Sequence, residues 1–158
     1  LMATSMAVIR VLEKQANKGV KDCCDFIAGH SLGEYSALCA GGAISLADTA
    51  RLLKTRGNAM QEAVPQGQGG MAALIGVDCD KAKEIAEKSA EGKICQIAND
   101  NGGGQVVISG AATAIDRAVE LAPEFGIKRA VKLPVSAPFH CKMMDPAASV
   151  MKDALEKV

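Results

Sequence analysis

An α/β fold is what this sequence predicts, and three observations predict it. A short apolar run, Cys24 to Ala28, feeds a glycine-flanked turn that opens a helix, the strand-turn-helix step of α/β proteins. From Met71 to Val135 the hydrophobic period alternates between strand and helix values and reads β-α-β-β-α-β, the ferredoxin-like order. Between the two halves lies Pro65 to Gly70 (Pro-Gln-Gly-Gln-Gly-Gly), where a proline and flexible glycines separate differently patterned segments.

Taken in order, Leu1 to Lys18 has helical periodicity, with Met2, Met6, Ile9 and Leu12 on one face and Gly19 as the expected C-cap. This helix begins with no lead-in. Cys24 to Ala28 is expected as a buried strand ending in Gly29. Ser31 opens a helix to about Ala40, closed by Gly41 and Gly42. Ser45, with Asp48 three residues on as its capping-box partner, starts another, whose inner face is expected to be Leu46, Ala50, Leu53, Met60 and Val64, as far as Pro65. In the second half the expected strands are Met71 to Val77, Ile94 to Ala98, Gln105 to Ser109 and Arg129 to Val135, and the expected helices Asp80 to Ala90 and Ala112 to Phe125. Asn99 to Gly104 supplies the turn between the middle strands. Pro146 to Val158 is helical in pattern and simply stops, so sequence is expected to be missing on both sides.

Composition excludes several classes of function. With 49% hydrophobic residues in 158, the chain can bury a core and is not disordered. Its 18 basic and 18 acidic residues leave no net charge, so the balance implies neither nucleic-acid nor membrane-surface binding. Apolar stretches reach about seven residues, against the ~20 of a membrane span. The six cysteines, at 23, 24, 39, 79, 95 and 141, follow no metal-ligand spacing and are expected as free thiols in a reducing cytoplasm, several of them packed as small hydrophobes. No metal is expected.

Gly29-His30-Ser31-Leu32-Gly33 matches G-x-S-x-G in its required context, a strand before and a helix after. The sharp turn is expected to strain Ser31, and side chains at the flanking glycine positions to clash. It thrusts the Ser31 hydroxyl outward, over a helix N-terminus whose Leu32 N–H is suited to stabilise an oxyanion. The competing description makes Ser31 an N-cap, with Glu34 completing a capping box.

A serine hydroxyl needs a base, and the chain has two histidines. His30 adjoins Ser31 and reads as a wall beside the nucleophile. His140 follows a strand and a loop stiffened by Pro134 and Pro138, which suits a positioned base; packing or capping is its alternative role. Arg56 sits at the edge of a helical apolar stripe, with Leu52 and Met60 at helical spacing, where a guanidinium fork can reach a pocket and bind a carboxylate. Arg51 points away from that stripe, and Lys54 occupies its other edge.

The successive segments Gly29 to Tyr35, Arg56 to Gln61, Gln105 to Gly110 and Ser136 to His140 resemble the signatures of malonyl-CoA:acyl carrier protein transacylases, in the expected order along the whole chain. The resemblance implies a large α/β-hydrolase-like subdomain carrying a ferredoxin-like insert, with residues 1–69 and 136–158 in the former and 70–135 in the latter. It implies ping-pong transfer of malonyl from malonyl-CoA to acyl carrier protein, with coenzyme A thioester as substrate and no cofactor. Ser31 is then the nucleophile, His140 the base and Arg56 the clamp on the malonyl carboxylate. Leu32, His30, Met60 and Phe139 complete the substrate-binding set, Phe139 as the residue that narrows the pocket. Family members also have an N-terminal strand with a glycine-glutamine loop, and C-terminal strands and helices. Their absence here implies that these residues alone are weakly stable or nearly inactive.

Two other functions share parts of this pattern. A serine esterase or thioesterase needs an acidic residue behind the base, for which Asp80, Asp100 and Asp116 are placed between Ser31 and His140. A non-catalytic module makes the elbow an ordinary helix start. Lys128, Arg129, Lys132 and Lys142 form a basic set able to receive an acidic carrier protein, or simply a solvated face.

Overall fold

In the computed structural model, which describes residues 1–158, the chain divides into two units, residues 1–57 with 151–158 and residues 58–150. The first contains α1 (Met2–Ala16), α2 (Leu32–Ala40) and most of α3 (Leu46–Glu62). No helix of the chain is long and apolar enough to cross a membrane.

The cap of helix α1 comes two residues before the expected one. Asn17 adopts the left-handed conformation (φ 50°) and its N–H bonds to the Glu13 carbonyl, a role that Asn fills next best after Gly. Gly19 instead precedes a short 3₁₀ turn, Val20–Asp22, and its N–H is bonded to the Asp22 carboxylate at 3.0 Å. Of the expected apolar face only Met6 is buried, and Leu12 remains 55% exposed.

The strand expected at Cys24 to Ala28 does not form. A strand is held by ladder hydrogen bonds to a neighbour, and this unit contains no strand to supply them. The run is irregular, with Phe26 91% exposed, and Ile27 and Ala28 line an open cleft of about 870 Å³ with Lys21, Asp25, Glu34 and Leu38.

The start of α3 is as expected: the Ser45 hydroxyl accepts the Asp48 N–H at 3.0 Å and donates to its carboxylate. Over its first turns the inner face is shifted by one residue from the expected one, whereas Val64 is buried as expected with Met60 packed against it. Thr49 and Leu52 are buried, while Leu46 and Ala50 are exposed. Thr49 tolerates burial because its hydroxyl donates to the Ser45 carbonyl at 2.8 Å, one turn back.

The second unit follows the expected element order: β1 (Gly69–Ile75), α4 (Cys79–Ala90), β2 (Cys95–Asp100), β3 (Gln105–Ala111), α5 (Ala112–Leu121) and β4 (Arg129–Lys132). The strands form one antiparallel sheet in the order β2-β3-β1-β4, with a register shift between Ile97 and Asn99. The last strand stops short of Val135, consistent with Pro134, which has no N–H for a ladder.

Period-2 alternation gives this sheet two apolar faces. One packs on α4 and α5, where Leu74, Ile85, Val106, Ile108 and Ile115 are at most 1% exposed. Each such burial contributes about 1.5–3 kcal/mol of apolar transfer free energy. The other face, Met71, Ala73 and Val107, is covered by Leu133, Val135 and Phe139 from the segment after β4. That segment leads into α6 (Asp145–Leu155).

Gly69 explains how the segment is seated. A β-carbon there would lie 2.3 Å from Cγ of the fully buried Pro138. Gly69→Ala is therefore expected to cost about 1–3 kcal/mol through overpacking, read as a lower urea midpoint, whereas Gly67→Ala, at an open position but with φ 82°, acts only through backbone strain.

Candidate active site

In the first unit, the turn between the irregular run and α2 has the geometry of a nucleophile elbow. Ser31 takes φ 53°, ψ −111°, a conformation that costs a non-glycine residue on the order of 1–3 kcal/mol. Its side chain makes no capping hydrogen bond to the helix, so the capping box with Glu34 is not formed. The first turn closes through backbone bonds, Gly33 N–H to the His30 carbonyl at 2.8 Å and Glu34 N–H to the Ser31 carbonyl at 3.1 Å. Leu32, as the first residue of α2, has no partner one turn back within the helix for its N–H.

The two glycines of the motif are not equivalent. A β-carbon at Gly29 would sit 2.0 Å from the Gly33 carbonyl oxygen and 2.5 Å from the Glu34 nitrogen. At Gly33 it would meet nothing within 4 Å, which corrects the expectation that both positions forbid a side chain.

Arg56 of α3 reaches this elbow. Its Nη2 donates to Ser31 Oγ at 3.1 Å, and its guanidinium carbon lies 5.9 Å from the centre of the Tyr35 ring. Burial pushes the Tyr35 hydroxyl pKa up, against the nearby Arg56 charge, which lowers it. Lys54, the rival that spacing left open, is exposed, and Arg51 pairs with Asp48. Tyr35 was not among the expected site residues, although its position four residues after Ser31 on a helix places it on the same face. His30 is exposed beside the serine.

In the second unit, His140 is exposed and takes a left-handed conformation, φ 59°. The residues around it are tied down. Gln61 Nε2 donates to Ser136 Oγ at 2.6 Å, the Cys141 thiol to the Pro138 carbonyl at 3.2 Å, and Lys142 N–H to Gln96 Oε1 at 2.9 Å. Met60 and Phe139 come together around buried Val64, Ala137 and Met144. Sequence reasoning missed Gln61 and Gln96; for Gln96 no spacing signal exists, since the contact joins positions 46 residues apart.

Two of the three aspartates offered behind the base, Asp116 and Asp100, have other partners. Asp116 pairs with Lys132. Asp100 accepts the Gly102 N–H at 2.9 Å and the Cys79 thiol at 3.3 Å, bonds that hold its pKa below the usual carboxylate range. Asp80 is exposed in the first turn of α4. All six cysteines are free thiols; Cys39 and Cys95 are buried, Cys95 with its pKa pushed by desolvation to about 11, while Cys23 and Cys24 are exposed rather than packed.

The acyl transferase domain model matches residues 1–158. The malonyl CoA-acyl carrier protein transacylase of Bacillus subtilis (strain 168) is 49% identical over 157 residues, 99% of this chain and 48% of that protein. The crystal structure of acyl-carrier-protein-S-malonyltransferase from Bartonella henselae is 64% identical with a TM-score of 0.94, covering 99% of this chain and 50% of that one. A type II PKS acyl-carrier protein in complex with its malonyl-transacylase gives 41% identity and a TM-score of 0.93 over 99% of this chain and 50% of that one. The chain spans about half the length of the curated relatives it matches. With a family model matched along all of its residues, the chain belongs to the acyl transferase domain family.

Proposed function

We propose that the protein carrying this chain transfers malonyl from malonyl-CoA to the phosphopantetheine thiol of acyl carrier protein, in fatty-acid synthesis in the cytoplasm. The observation that carries this reading is the hydrogen bond from Arg56 to Ser31. It puts a carboxylate-binding fork at the oxygen of a strained, uncapped elbow serine, an arrangement suited to an acyl group that ends in a carboxylate.

In the first half-reaction, Ser31 Oγ attacks the thioester carbonyl while His140 takes its proton. The tetrahedral oxyanion is stabilised by the Leu32 N–H, a type of donor worth about a hundredfold or more in rate. The carbon–sulfur bond then breaks, and His140 returns the proton to the departing coenzyme A thiolate. In the second half-reaction the phosphopantetheine thiol gives its proton to His140 and attacks the malonyl ester, and the proton passes back to Ser31. Arg56 holds the malonyl carboxylate throughout. His30 walls the nucleophile, and Met60 and Phe139 bound the acyl pocket. No cofactor takes part beyond the coenzyme A thioester. The basic residues Lys128, Arg129, Lys132 and Lys142 are the set offered to the acidic carrier.

The same reading makes residues 1–69 and 136–158 part of an α/β-hydrolase-like subdomain and residues 70–135 a ferredoxin-like one. The element order and antiparallel strand order of the second unit support the latter. The partners taken by Asp100 and Asp116 weigh against a hydrolase triad, and the uncapped Ser31 weighs against a bare helix start.

Mass spectrometry of the protein after mixing with malonyl-CoA tests this. One malonyl increment is expected on the peptide that contains Ser31, stable in water, discharged by the carrier thiol and absent from Ser31→Ala. No adduct sinks the enzyme reading; an adduct that water clears at the turnover rate makes the protein a hydrolase.

A further inference from the structure

We infer that Gln96 is a positioning residue for His140, the far tether of a strap that crosses the face of the small sheet opposite α4 and α5. The inference rests on the proposed role of His140 as base. The strap begins at Leu133, directly after β4, where the Leu133 N–H bonds to the Met71 carbonyl of β1 at 2.9 Å. It continues with Phe139 packed against Met71, Ala73 and Val107. It ends with Lys142, whose N–H is held at 2.9 Å by Gln96 on β2. Gln96 lies in one cross-strand row with Ser109 and Met71, so the row that receives the start of the strap also receives its end.

His140 lies just before the second tether and in a conformation that favours glycine, φ 59°. Such a residue relaxes unless the chain on both sides is fixed. On the N-terminal side Pro138 is buried against Gly69, and the Cys141 thiol closes back on the Pro138 carbonyl. On the C-terminal side, Lys142 opens the 3₁₀ turn Lys142–Met144 that runs into α6, and the residue capping that turn, Cys141, makes no side-chain cap hydrogen bond. Gln96 therefore does from another strand what a capping side chain does locally, and satisfies the orphan N–H of Lys142. A base must be held closely to act, since misplacement by about 1 Å can cost on the order of a hundredfold in rate.

Gln96→Leu keeps the shape and removes the acceptor, while Gln96→Glu keeps the acceptor, and both are tested in the protein carrying this chain. Gln96→Leu is expected to speed amide exchange of residues 139–144 about three- to tenfold, the loss of one hydrogen bond. It is also expected to lower kcat about ten- to a hundredfold, with KM for malonyl-CoA and the melting midpoint close to wild type. Gln96→Glu should restore both readings. Wild-type exchange or kcat in Gln96→Leu overturns the inference, as does equal damage in Gln96→Glu or a loss matched by global unfolding. If the unsubstituted protein never acylates Ser31, the transferase reading falls, and the exchange measurement still decides whether Gln96 tethers the strap.

Discussion

Gly29→Ala is expected to lower malonyl transfer by about four orders of magnitude, with Gly33→Ala remaining within about tenfold of wild type. The β-carbon at 29 would press on the Gly33 carbonyl oxygen at 2.0 Å and the Glu34 nitrogen at 2.5 Å. These are backbone atoms at the base of α2 and cannot swing aside, so the elbow itself must open. Opening it shifts Ser31, worth about a hundredfold for a 1 Å error, and turns the Leu32 N–H away from its oxyanion, worth about another hundredfold. The check is the transfer rate beside Ser31 acylation by mass, with circular dichroism to show that the helices persist. Near-normal turnover in Gly29→Ala, or equal collapse in Gly33→Ala, would contradict the elbow geometry.

Arg56→Ala is the second large effect, and its signature is selectivity. Removing one member of a partly buried, hydrogen-bonded charge pair costs about 2–5 kcal/mol, so kcat/KM for malonyl-CoA should fall about thirty- to several-thousandfold. With acetyl-CoA, which offers no carboxylate, the loss should stay below about tenfold. Arg56→Lys should recover only part of the malonyl activity, because an ammonium is a point charge without the two-pronged geometry. Equal losses for the two thioesters would remove the carboxylate from the account and return the hydrolase as the better reading.

The small sheet was legible in the sequence because its signals are local. Short apolar strand runs bounded by turn residues, helices with a clear apolar stripe and the Asn-Asp-Gly turn each act within about ten residues, and the observed elements start within about two residues of the expected ones. The errors came where structure depends on partners. Cys24 to Ala28 has a strand's composition, yet an apolar run becomes a strand only beside another. The α3 stripe was misjudged by one position because Thr49 counts as polar until its hydroxyl finds the Ser45 carbonyl. Of the candidate site residues, helical spacing left Arg56 and Lys54 both open and the resemblance pointed to Arg56, whose bond to Ser31 shows that it is the one engaged. Gln96 left no trace, since a contact across 46 residues has no period.

The bond between Arg56 and Ser31 also bears on timing. While the guanidinium donates to the hydroxyl oxygen, it engages one of that oxygen's two lone pairs and lowers its electron density. On the reading proposed above, an arriving acid-tailed acyl group draws the fork onto itself and releases that lone pair, whereas an uncharged guest leaves it engaged. On the proposed reading, discrimination then acts at bond formation as well as at docking.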